Sequence, residues 1–134
     1  ARLLEVIDIL GLWEEFENWK KSLVAITQLA NERNVQNQFL IYDFATINRF
    51  TAEEIPMLSK PKIVNWFSDS SHYKINLGTK VINRMLGMKG DALQFGVLIN
   101  AQNIEQHIIK IRKDREIWRK KYSDHVQELK NMRG

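Results

Sequence analysis

The sequence predicts an α/β domain, rich in helix, with short parallel strands and a long C-terminal helix. Three patterns carry that prediction. Apolar residues recur at steps of three and four over residues 13–33 and again from about residue 101 onward, two short runs at 38–44 and 63–67 are rich in strand formers, and Gly or Pro interrupts the chain between these segments. With 134 residues, 44% of them hydrophobic, and four Trp and six Phe among them, the chain has the length of one domain and enough large side chains for a real core. No internal repeat, low-complexity segment or linker argues for a second domain.

Taken in order, Leu3, Leu4, Ile7 and Leu10 set a helical pattern that Gly11 stops. A second helix is predicted from Trp13 to Arg33, with Trp13, Phe16, Trp19, Leu23, Ile26 and Leu29 as its core stripe, acidic Glu14, Glu15 and Glu17 near its N-terminus and Asn34 at its stop. The run from Gln38 to Phe44 is too short for a helix. Its near-continuous apolar character predicts a buried parallel strand. Thr51 to Glu54 resembles an N-cap with one helical turn closed by Pro56, and Pro61 delays regular structure until a second strand from Ile63 to Phe67. Leu77, Val81, Ile82, Met85 and Leu86 then mark a helix from about Asn76 to Leu86, ended by Gly87. Residues 95–99 form a short extended segment. The long final helix carries a seam of Ile104, Ile108, Ile111, Trp118, Tyr122 and Leu129, on which polar Arg115 and His125 also fall.

Composition excludes several functions. With no Cys there is no disulfide framework, thiolate metal site or Cys nucleophile. His107 and His125 stand eighteen residues, about five helical turns, apart and cannot share a metal, so neither metal nor cofactor is expected. No apolar stretch approaches the roughly 20 residues that cross a bilayer. The net charge of +4 invites a nucleic-acid reading, but Lys110, Arg112, Lys113, Arg115, Arg119, Lys120 and Lys121 are interrupted by acids and lack interleaved aromatic platforms, so no nucleic-acid partner is expected.

The chemistry concentrates in Asp69-Ser70-Ser71-His72-Tyr73, which follows an apolar run and precedes a helix. One turn can bring the Asp69 carboxylate against the His72 imidazole, fixing its tautomer as a general base requires. The competing reading is a turn in which Asp69 accepts backbone N–H groups and His72 caps the next helix. Asp43, at a strand end, is a candidate to line a substrate cleft or simply to form a turn; Asn48, Arg49 and Glu53 either shape a substrate-facing loop or are ordinary surface residues. Ser70 and Ser71 lie too close to His72 in the chain to be good nucleophiles.

Gly11-Leu12-Trp13 through Phe16-Glu17-Asn18-Trp19-Lys20, then Tyr42-Asp43-Phe44, Asn48, Thr51, Glu53 and Pro56, then Trp66-Phe67-Ser68-Asp69-Ser70-Ser71-His72-Tyr73 with Gly78, and finally Phe95-Gly96-Val97 resemble the C-terminal half of bacterial SGNH (GDSL-like) hydrolases. The resemblance spans most of the chain. It implies the C-terminal part of a flavodoxin-like fold, a triad role for His72 as base and Asp69 as its orienting carboxylate, and an ester or acylated carbohydrate substrate for a hydrolase or O-acyltransferase. It also implies a membrane anchor upstream and a membrane-anchored or periplasmic protein, a compartment that composition leaves unknown. The family's Gly-Asp-Ser nucleophile block is missing, since the only Gly-Asp pair, Gly90-Asp91, is followed by Ala92. Residues 1–134 are therefore expected to be a C-terminal fragment of a longer catalytic domain, inactive alone, and able to self-associate through an exposed strand edge. The alternative is a non-catalytic helical interaction module that uses the basic C-terminal helix.

Overall fold

In the computed structural model, which describes residues 1–54, 63–69, 71–90 and 94–132, α1 (Arg2–Ile9) and α2 (Trp13–Arg33) occupy the predicted segments. β1 (Ile41–Asp43), α3 (Ile75–Met85) and β2 (Val97–Ile99) follow, and the chain closes with α4 (Ile104–Lys121) and α5 (Ser123–Asn131). α1 packs on α2 and α5, and α4 packs on α2 and α5, with the short β-ribbon set against α2 and α4.

The parallel, flavodoxin-like sheet is not formed. Among the described residues the sheet has two strands, and they are antiparallel, with Ile41 opposite Ile99, Tyr42 opposite Leu98 and Asp43 opposite Val97. A parallel pair needs a crossover that returns the chain to the same end of the sheet. Here β1 and β2 instead meet head to tail around the intervening 67–73 turn and α3. The second predicted strand is also absent. Residues 63–66 are irregular, because the Glu53 carboxylate takes the N–H groups of Asn65 (2.5 Å), Trp66 (2.7 Å) and Phe67 (3.3 Å) that a neighbouring strand would have used. Three of that segment's N–H groups are thus taken by a side chain instead of a neighbouring strand. Thr51 to Glu54, predicted as an N-cap with one helical turn, instead close a turn that begins at Asn48, while Pro56 and Pro61 lie outside the described residues.

Two apolar clusters hold the fold. Val24, Ile99, Ile104 and Ile108, with Ile41 against them, join α2, the ribbon and α4. Phe50, Leu77 and Phe95, flanked by Phe44, Trp66, Phe67 and Val81, join α3 to the loops around it. The rings in the second cluster meet edge-on, Phe50 on Trp66 at 5.1 Å and Phe44 on Phe95 at 5.0 Å.

Helix α2 is turned away from its predicted stripe. Trp19, Ile26 and Leu29 are exposed, whereas Glu17, Lys20 and Val24 are buried. Spacing alone cannot foresee this, because the facing elements supply partners for the polar residues. Arg112 of α4 pairs with Glu17, which also accepts Trp13 Nε1–H at 2.6 Å, and Lys20 reaches Asp43. The C-terminal helix, predicted to be continuous, breaks at Tyr122 (φ −121°, ψ 47°), which lets His125, Val126 and Leu129 fold onto α1. Arg115 on the seam is buried and meets Asp8 at 2.8 Å, while His125 Nδ1 accepts from Arg2 Nη1 at 2.7 Å.

Candidate active site

The Asp69–His72 segment is the tip of a tight hairpin. Phe67 and Tyr73 form an antiparallel bridge; Ser68 N–H donates to His72 O at 2.7 Å and Lys74 N–H to Trp66 O at 2.8 Å. At the tip, Asp69 divides its two oxygens between two tasks. Oδ1 accepts the N–H groups of Ser71 and His72, each at 2.8 Å, and the Ser71 hydroxyl at 3.1 Å. Oδ2 lies 2.7 Å from His72 Nδ1. The turn reading and the orienting reading thus describe one carboxylate. His72 does not cap the next helix, whose N-cap residue is Lys74.

The backbone N–H of Ser71, that of His72, and the imidazole bond hold the Asp69 carboxyl far below its ordinary range. An ionised Asp69 is an acceptor only, so Nδ1 carries the proton and, in the neutral imidazole, Nε2 is the nitrogen with the lone pair. Among the described residues nothing bonds Nε2, and the His72 and Asp69 side chains are 79% and 56% exposed. Ser71 Oγ is 3.4 Å from Nδ1, the nitrogen already committed to Asp69, so the imidazole cannot take its proton from this side. Ser70 lies outside the described residues.

The other predicted residues stand elsewhere. Asp43, on β1, is buried, with Lys20 Nζ at 2.5 Å and His107 Nε2 at 2.7 Å from its Oδ2 and Ala45 N–H at 2.9 Å from its Oδ1. Burial pushes its carboxyl up, but the bond from His107 and the charge of Lys20 outweigh this and leave it below its usual value. Lys20 is lowered by burial, only partly offset by Asp43. Asn48 organises the turn after β1. Its Oδ1 accepts Phe50 N–H at 2.9 Å and Thr51 N–H at 3.2 Å, and its Nδ2 donates to Thr46 Oγ1 at 3.1 Å. The Arg49 guanidinium stacks 4.6 Å from the Phe50 ring. Lys20 and His107, the partners of Asp43, escaped the sequence reading. The one available signal was their position: a Lys directly after Trp19 and a His directly before the apolar Ile108.

No group of three or more metal-ligating side chains occurs among the described residues, and none of the described helices is long and apolar enough to cross a membrane. No protein-family model matches the chain, and no curated protein or solved structure is significantly similar to it.

Proposed function

We propose that Asp69 and His72 are the base half of a serine-type acyl-transfer site, in an ester hydrolase or O-acyltransferase whose nucleophile lies on another part of the protein. The observation that carries this is the 2.7 Å contact between His72 Nδ1 and Asp69 Oδ2 with Nε2 left open. In the proposed step the hydroxyl attacks the ester carbonyl and passes its proton to Nε2; His72 then returns that proton to the departing alkoxide, while Asp69 stabilises the transient imidazolium. Water around an open pair weakens every charge interaction in it. The segment that brings the hydroxyl therefore also has to cover this hairpin. The helical-module alternative gains nothing comparable, because Arg112, Arg115 and Arg119 are engaged inside the domain by Glu17, Asp8 and Glu5.

The test is fluorophosphonate labelling of the full-length protein. Labelling should occur, vanish in His72→Ala, fall by about 10³–10⁴ in rate in Asp69→Asn, and survive in Ser71→Ala. Labelling that is absent, or indifferent to His72, refutes the proposal.

A further inference from the structure

Beneath the hairpin lies a cavity of about 180 Å³. It is lined by Leu4 of α1, Phe44 and Phe95, Leu77 and Val81 of α3, and the bridged pair Phe67 and Tyr73 of the hairpin with Ser71. Two wall rings are locked by glycines. Tyr73 lies over Gly78, where a Cβ would come within 3.2 Å of the ring, and Phe44 lies against Gly96, where a Cβ would overlap it. The Phe44 ring therefore sits closer to the backbone than a side chain at Gly96 would allow, and Tyr73 would have to shift by a few tenths of an ångström.

The chemistry of this lining selects its ligand. No Asp, Glu, Lys, Arg or His side chain lines the cavity; the Ala1 amine does, donating to Thr51 O at 2.6 Å. Three of the lining hydroxyls are engaged as well: Thr51 donates to Thr46 O and accepts Asn48 N–H, Thr46 Oγ1 accepts from Asn48 Nδ2, and Ser71 donates to Asp69. The rest of the lining is mostly carbon, so an ion or a sugar would find few groups to replace its water, at a cost of several kcal/mol. An apolar group loses only water contacts. As for size, an apolar cavity of roughly 150 Å³ holds benzene, so this one accommodates about six carbon atoms, well below the 300 Å³ or more typical of drug-sized sites.

We propose that this cavity binds the apolar end of a substrate, an unbranched acyl chain of about six carbons or a single aryl ring, with the polar end emerging between Ser71 and Tyr73 beside His72. His72 itself does not line the cavity, but its two chain neighbours, Ser71 and Tyr73, do. The placement of the polar end rests on the acyl-transfer reading; the binding of the apolar end does not.

The experiment titrates benzene, hexan-1-ol and decan-1-ol into the full chain, read by amide chemical shifts and by the rise in melting temperature. Benzene and hexan-1-ol should saturate, with shifts centred on Ser71, Tyr73, Leu77 and Phe95, and decan-1-ol should bind more weakly. Val81→Phe, which fills the cavity, should weaken hexan-1-ol binding roughly tenfold or more. Should that variant not fold, Leu77→Ala serves instead, because enlarging the cavity should move the preference toward decan-1-ol. Absence of saturable binding, or binding indifferent to both cavity variants, overturns the inference. Saturable binding in a protein whose fluorophosphonate labelling ignores His72 would sink the acyl-transfer reading and leave the cavity assignment standing.

Discussion

Replacing Asp43 with Ala should bring the protein close to unfolding. Asp43, Lys20 and His107 are all nearly inaccessible, and Oδ2 of the one carboxylate is the shared partner of both cationic-capable groups at 2.5 and 2.7 Å. Removing it leaves Lys20 in a low-dielectric site without a counter-charge, a change worth about 3–5 kcal/mol against a total stability of about 5–15 kcal/mol. With a urea slope of about 2 kcal/mol/M, the midpoint should fall by about 2 M. Equilibrium urea unfolding at pH 7, followed by Trp fluorescence, measures it. The double variant Lys20→Met with Asp43→Leu should recover most of the loss, since a well-packed apolar pair substitutes for a buried ion pair at little cost. The carboxyl of Asp43 is held below its ordinary 3.8 in the folded state, so the unfolded chain binds the proton more readily. Its contribution is therefore complete above that ordinary value and is lost as pH falls from there through the lowered folded value. A loss under about 1 kcal/mol in Asp43→Ala, the size of an exposed pair, would refute the view that this network is dry.

Two further substitutions probe the segments that carry the hairpin and the cavity. Gly96→Ala should cost about 2–5 kcal/mol, because φ is 78° there and the new Cβ meets the Phe44 ring, whereas Gly87→Ala, at φ 66° with open space around it, should cost only about 1–2 kcal/mol; thermal melts of the two variants give the comparison. Glu53→Ala should cost about 1–3 kcal/mol and strip hydrogen-exchange protection from the Trp66 and Phe67 amides, with Glu53→Gln intermediate because one acceptor oxygen remains.

Helix α2 shows how far periodicity reaches. Its bounds, its acidic start and its stop near Asn34 follow from residues local to the helix, and they coincide with the structure. Its buried face does not, because burial of Glu17 and Lys20 depends on Arg112 and Asp43, which are remote in sequence by 95 and 23 positions. The strands failed for the same kind of reason. The run from Ile63 to Phe67 has strand-forming residues, yet whether it joins a sheet depends on what meets its N–H groups, and Glu53 does so first. The hairpin was more legible. An Asp followed by an N–H two and three residues later closes a turn from local chemistry alone, and that turn carries the imidazole with it. The cavity below it was invisible, being assembled from α1, α3 and both sides of the ribbon.

Helix segments, the Asp69 turn and the absence of thiol chemistry were set by neighbours along the chain, since backbone propensity, turn hydrogen bonds and composition act over a few residues. Strand direction, the face that α2 buries, the Lys20–Asp43–His107 network and the space beside His72 were settled by folding in three dimensions. Each of those depends on which distant group arrives to satisfy a donor, balance a charge or exclude water, and no local pattern encodes that arrival.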